Sequence, residues 1–299
     1  MTSHTGELAA LTTAALWSVT SVLFTLAGRQ VAPYAVNLFR TIIGGCLLAA
    51  TLWLANGSPW PSGAPPGRLL DLAVSGVIGL AIGDTLLFQS YAWIGPRLAT
   101  LLMALAPPMS AAIAWLGLGE HLGGRALLGM ALALAGIIWV VRERGVGSAA
   151  AAGPARRRLG ILLGLGAAAC QAIGAVLSKH GMVGVDPLPA TLVRMVSGAA
   201  GILAAALASG HLPRALPALR ARRFLALALG ASVLCPYLGV WLSLVSLKLT
   251  ETGVALTLMA MSPILVIPLA ARVFGERATA RTVAGTVVAV AGVAILVSR

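Results

Sequence analysis

The stretch that decides the fold is ATLLMALAPPMSAAIAWLGLGEHLGGRALLGMALALAGIIWVV, Ala99 to Val141. It returns 156 residues later as ALTLMAMSPILVIPLAARVFGERATARTVAGTVVAVAGVAILV, Ala255 to Val297. The two align without a gap. Pro107 falls on Pro263, Glu120 on Glu276, Arg125 on Arg281, Gly129 on Gly285, Ala133 on Ala289 and Gly136 on Gly292. Self-similarity of that length marks a chain built from two copies of one unit. Earlier parts of the units align at an offset of 154, which puts Ala14-Ala15 on Ala168-Ala169, Val22-Leu23 on Val176-Leu177, Pro33 on Pro187, Arg40 on Arg194 and Gly44 on Gly198. A two-residue insertion between the blocks accounts for the change of offset.

Of the 299 residues, 59% are hydrophobic and only 10% charged, and the mean hydropathy is +0.96. A soluble domain carries about 25% charged residues, so this chain cannot cover a water-facing surface. Its apolar runs reach about 20 residues, the length of a membrane-crossing helix. Barrel strands would alternate over shorter segments, and helices satisfy their own backbone groups in lipid. The net charge of +13 comes from arginines that sit mainly between the runs, where they meet lipid head groups; no nucleic-acid partner is expected. Cys46, Cys170 and Cys235 lie inside apolar runs without metal or disulfide spacing. Residues 1–7 hold no Lys or Arg and the next run is a full span, so no cleaved signal peptide is expected.

Turn chemistry at Ala32-Pro33, Asn56–Gly67, Gly95-Pro96 and Asp186-Pro187 separates ten expected spans. They run over 7–28, 34–56, 69–93, 96–118, 124–142, 159–180, 187–208, 223–247, 252–273 and 279–298. The longest polar stretch, Arg142 to Arg158, holds the seam: a first unit at 1–145, a linker at 146–158 and a second unit at 159–299. Each unit has an odd number of spans, so the second enters the membrane from the opposite side. The expected fold is an all-α integral membrane protein, with ten transmembrane helices arranged as two inverted five-helix repeats around a central cavity. Secondary transporters share that plan and bind substrate near the midplane at the repeat interface.

Several features in order resemble the ten-span EamA-type carriers of the drug/metabolite transporter superfamily. They are Leu38-Phe39-Arg40, the block Leu102–Pro107, Gly119-Glu120 and the Gly129/Gly136 pattern, with second copies at Leu258–Pro263, Gly275-Glu276 and Gly285/Gly292. The resemblance covers nearly the whole chain. It implies a multi-pass carrier of the cell inner membrane with both termini cytoplasmic. That branch includes bacterial amino-acid and metabolite exporters, the YddG-type aromatic amino-acid exporters among them. The charge distribution points the other way. With both termini inside, the inner loops hold 5 Lys and Arg and the outer loops 14, against the positive-inside rule. The resemblance is preferred here, since inverted repeats make charge bias a poor guide.

Asp84 is the only acid deep in a span, a candidate for proton coupling or for binding a substrate amine; the alternative is a hydrogen-bonded tie between helices. Arg40 and Arg194 lie about seven residues inside their spans, roughly 10 Å along the axis. They fit a substrate carboxylate, against snorkelling or a structural pair with Asp84 or a helix end, and their symmetry-related placement favours a structural role common to both halves. Trp17, Ser18, Ser21, Gln171, Tyr237 and Trp241 supply aromatic and polar groups suited to an amphipathic solute, against plain packing. Gln89, Tyr91 and Trp93, near the end of span three, suit such a solute in the same way, with interfacial anchoring as the alternative for Tyr91 and Trp93. Pro107 and Pro263 fall mid-span and read as a hinge or a static kink. Glu120 and Glu276 read as helix caps, and the small-residue faces of spans five and ten as packing surfaces.

The four histidines show no metal-ligand spacing, and neither a phosphate loop nor a nucleophile elbow is present, so no cofactor, no metal and no catalytic residue are expected. The resulting expectation is a secondary-active carrier, not an enzyme. It exports small organic solutes, amino acids foremost, by alternating access as the two halves rock about the cavity. Its partners are the solute and the lipid bilayer, and it works as a monomer or weak oligomer. The competing readings are efflux of other metabolites or drugs, and a non-transporting membrane scaffold or receptor.

Overall fold

A computed structural model describes residues 4–29, 31–58, 60, 65–118, 123–142, 153–210, 222–249, 255, 258–275 and 279–297. Among the described residues there is no strand, and the helices form ten spans. Span one is Thr5–Ala27 and span two Pro33–Asn56. Span three starts as Pro66–Gly76, passes through a π-helical segment, Val77–Gly83, and continues from Asp84. Gly95 (φ 81°, ψ 163°) breaks the helix there, and span four follows through Met103 and then Ala106–Leu118. Span five is Gly124–Arg142, span six Gly153–Gly181 and span seven Pro187–Ala208. Span eight is Arg222–Ser232, a second π-helical segment Val233–Gly239, and Val240–Leu249. Span nine contains Ser262–Phe274 and span ten is Ala280–Val297.

The element boundaries repeat with the sequence offsets. From Pro66 onward each start recurs 156 residues later: Pro66 at Arg222, Val77 at Val233, Ala106 at Ser262, Gly124 at Ala280. The start of span two recurs at 154, Pro33 on Pro187. Prolines at the first helical positions of spans two and seven suit that place, because an N-terminal helix residue has no intrahelical partner for its N–H.

Spans five and ten show directly that the repeats run in opposite directions. A Cβ placed on Gly136 would lie 2.6 Å from the carbonyl oxygen of Gly285 and 2.5 Å from the backbone nitrogen of Ala289. One on Gly292 would lie 2.8 Å from the carbonyl oxygen of Gly129. Rising numbers on one helix meet falling numbers on the other, so the pair is antiparallel. The contact Gly136–Gly285 is also the symmetry mate of Gly292–Gly129. With no side chain between them the backbones approach to the separation that packing in lipid favours.

Contacts at the span ends fix the remaining alternation. Arg68 Nη1 donates to the His180 carbonyl at 2.9 Å, His180 Nδ1 lies 2.7 Å from Asp71 Oδ2, and Lys248 pairs with Asp186. These join the starts of spans three and seven to the ends of spans six and eight on one face. On the opposite face Arg29 lies 4.8 Å from the Phe274 ring. Large apolar side chains such as Leu54 (85% exposed) and Leu162 (62%) point outward, as they must in lipid.

Four local features depart from the expectation. Spans three and eight are not uniform α-helices. Spans four and nine are broken before Pro107 and Pro263, so each proline opens a new helix instead of bending a continuous one. Span six begins at Gly153, which makes Arg156–Arg158 its first turns and not part of a linker. Tyr91 is buried and Arg97, counted with the loops, is only 3% exposed. Glu120, Glu276 and residues 146–152 of the expected linker lie outside the described residues.

Candidate functional site

A cavity of about 240 Å³ lies between the repeats. Spans one to four and six to nine all contribute to its wall, while among the described residues five and ten do not. Span one presents Trp17, Thr20, Ser21 and Phe24, spaced by three or four residues and hence on one helical face. Span three presents Leu80, Asp84, Leu87, Phe88 and Tyr91 in the same rhythm.

The polar centre is built from the π-helical segment outward. Asp84 follows that segment directly. Glycines 76, 79 and 83 keep its surface thin: a Cβ on Gly83 would meet Cys170 Cβ at 2.9 Å, and one on Gly79 would lie 3.4 Å from Arg194 Nη2. Two of its carbonyls accept side-chain donors, Gly79 O from Gln171 Nε2 at 3.3 Å and Leu80 O from Asn37 Nδ2 at 2.8 Å. Wide turns of this kind often mark functional positions.

Asp84 has both oxygens engaged. Oδ2 pairs with Arg40 Nη2, and Oδ1 accepts from Gln171 Nε2 at 2.8 Å. Arg40 is held further by Nε donating to Asn37 Oδ1 at 3.0 Å, while Asn37 Nδ2 also donates to Thr85 Oγ1 at 2.9 Å. The guanidinium lies 4.8 Å from the Phe88 ring centroid and 5.5 Å from that of Phe24, within cation–π range. A buried charge pair persists only when its remaining hydrogen-bonding capacity is met, and here it is. Residues of both repeats close the network, since Gln171 belongs to the second.

Among the anticipated residues, Trp17, Ser21, Asp84, Gln171, Arg40, Arg194, Pro107 and Pro263 line this one cavity. Ser18, Tyr237 and Trp241 do not. Ser18 Oγ lies 3.0 Å from Ser262 Oγ and ties span one to the break in span nine. The Tyr237 hydroxyl lies 2.9 Å from Thr51 Oγ1, and its ring stands 6.0 Å from that of Trp241 in a core cluster with Leu48 and Leu192. Sequence reasoning overlooked Asn37, Thr20, Phe24 and Phe88. Helical spacing from Trp17 and from Asp84 would have found the last three, and the i, i+3 step back from Arg40 would have found Asn37.

The breaks before the prolines repeat as closely as the helices do. Leu105 N donates to Leu102 O at 3.0 Å and Met261 N to Leu258 O at 3.2 Å, the same bond in each copy. The model of the EamA-like transporter family matches residues 4–142 and again 158–298. The chain belongs to the EamA-like transporter family. Each match takes in one repeat, so this EamA-family chain is a multi-pass membrane transporter of the drug/metabolite type. A solved crystal structure at 18% identity superposes with a TM-score of 0.63, over 97% of this chain and 95% of that one, and so shares the fold. No curated protein matches the chain.

Proposed function

We propose that this EamA-family chain exports small organic solutes, amino acids foremost, across the inner membrane by alternating access, with the cavity between the repeats as the substrate site. The observation that carries this reading is the cluster Arg40–Asp84–Gln171 in the cavity wall: ionic groups held deep in a membrane protein where both repeats meet. The size supports a metabolite over a bulky drug. About 240 Å³ falls below the roughly 300–1,000 Å³ of drug-sized sites. Hydroxyls of Thr20, Ser21 and Ser243 and the rings of Trp17, Phe88 and Tyr91 give the wall the mixed character an amino acid needs.

Span one packs on spans eight and nine, and span six on spans three and four. The moving groups proposed here therefore each draw helices from both repeats, and the breaks at Pro107 and Pro263 lie where those groups meet the cavity. The outward direction, the inner membrane and cytoplasmic termini rest on the resemblance to ten-span exporters.

Counterflow in proteoliposomes against a panel of amino acids, with and without a pH gradient, tests the reading. Saturable exchange of one or more amino acids is expected. If other small metabolites exchange and no amino acid does, the substrate class is wrong while the carrier stands. Cysteine labelling between Arg142 and Arg158 from the cell exterior is expected to succeed, and labelling only from the interior would reverse the orientation.

A further inference from the structure

Arg40 and Arg194 occupy the same position in the two repeats, yet only one of them is neutralised. Arg40 has an acid, an amide and two aromatic rings around it. Arg194 is 6% exposed, lines the cavity, and makes no side-chain hydrogen bond or ion pair among the described residues; its buried Nε has no partner. The repeat offsets explain the difference. Val240 stands where the first repeat has Asp84, and Thr191 stands where it has Asn37. Thr191 spends its hydroxyl on Pro187 O at 2.7 Å in its own helix. Ser178 and Leu244 replace Phe24 and Phe88. Asp84 still acts on Arg194 through space, but among the described residues no acid, amide or aromatic ring is bonded to Arg194 as they are to Arg40.

We infer that Arg194 is the anchor for a carboxylate on the transported solute, and that within the proposed substrate class the cavity favours solutes of net charge −1, acidic amino acids among them, over zwitterions of the same size. The inference rests on the cavity being the substrate site, as proposed above. Among the described residues the fixed charges in the wall are Asp84, Arg40 and Arg194, one negative against two positive. An unmatched buried cation is costly, and a carboxylate is the ligand whose geometry a guanidinium fork fits. A zwitterion brings the carboxylate but also an ammonium. Asp84 has lone pairs left to accept from that ammonium, but its single charge is already offset by Arg40. The occupied cavity would still hold an uncompensated positive charge. A monoanion leaves it neutral. Gly79 gives the guanidinium its room, because no side chain stands between Arg194 Nη2 and the π-helical backbone.

Solute pairs matched in size separate the two charge classes: lactate with alanine, phenyllactate with phenylalanine, glutamate with glutamine. Purified full-length protein in liposomes is assayed for competition against a labelled monoanion. The monoanion of each pair is expected to compete at least tenfold better than its zwitterion. R194Q is expected to lose at least tenfold in monoanion uptake, and R194K to recover part of it. Zwitterions that compete as well as monoanions, or an R194Q variant that keeps the preference, would overturn the inference while leaving an amino-acid carrier in place. If no solute of either class moves, the proposed function fails and this assignment with it. Should R194Q not fold, thermal shifts of the wild-type protein decide: stabilisation by phenyllactate and not by phenylalanine supports the anchor, and equal shifts overturn it.

Discussion

Arg40 in span two and Asp84 in span three form a buried ion pair, and Asp84 accepts at the same time from Gln171 of the other repeat. The pair is 3% and 6% exposed, so neither charge can be solvated if the other is removed. Breaking a buried pair from one side costs about 3–5 kcal/mol. Asp84→Asn and Arg40→Gln are each expected to lower the detergent-solubilised Tm substantially, and the double replacement to lower it less than the sum. Strict additivity in that double-mutant cycle would show that the two side chains are not coupled.

The interface of spans five and ten gives a prediction of the opposite sort, large for stability and silent for selectivity. A valine at Gly136 would place carbon on the backbone of Gly285 and Ala289. Overpacking of that kind costs about 1–3 kcal/mol. Gly136→Val is expected to lower Tm while the order of preferred solutes in transport stays the same, because neither span reaches the cavity. A changed solute order would mean that these spans shape the site.

Gly95 joins spans three and four with φ 81° and ψ 163°, backbone that only glycine adopts readily. Gly95→Ala should cost about 1–3 kcal/mol from strain alone. The thermal midpoint reads it, and an unchanged midpoint would contradict the break.

The exposed pair Lys248–Asp186 bridges the end of span eight and the start of span seven on one face, with side chains 52% and 75% exposed. Pairs of that kind are worth about 0–1 kcal/mol. Lys248→Ala is therefore expected to leave Tm nearly unchanged. A loss comparable to that of Asp84→Asn would give this face a structural weight that its exposure argues against.

The duplication, the inversion and the helical membrane fold were legible because they rest on patterns that survive divergence: apolar run length, an odd span count, and glycines and prolines at fixed offsets. Gly136 and Gly292 were readable as a packing face for the same reason. The π-helical segments were not. The first segment reads VIGLAIG and the second VLCPYLG; they share only their ends, Val77 with Val233 and Gly83 with Gly239, which is too little to announce a common π-helical geometry. Pro107 and Pro263 were visible, but a proline inside an apolar run reads as a kink; only the bonds from Leu105 and Met261 show a fresh helix start. Asp84 with Arg40 and Arg194 could be nominated as rare buried charges. Which arginine held the acid was not readable, because the answer lies in Asn37, Phe24 and Phe88, residues unremarkable by type.

Solute is expected to pass through the cavity between the repeats. Ala175 lines that cavity on span six and is not itself a member of the charged cluster, so Ala175→Trp fills the path while leaving Arg40, Asp84 and Gln171 in place. Counterflow by this variant, reconstituted beside the wild type and checked for equal Tm, is the most direct measurement. Saturable exchange is expected of the wild type, and its loss, by tenfold or more, of Ala175→Trp. Exchange at the wild-type rate through a protein with the cavity filled would contradict it.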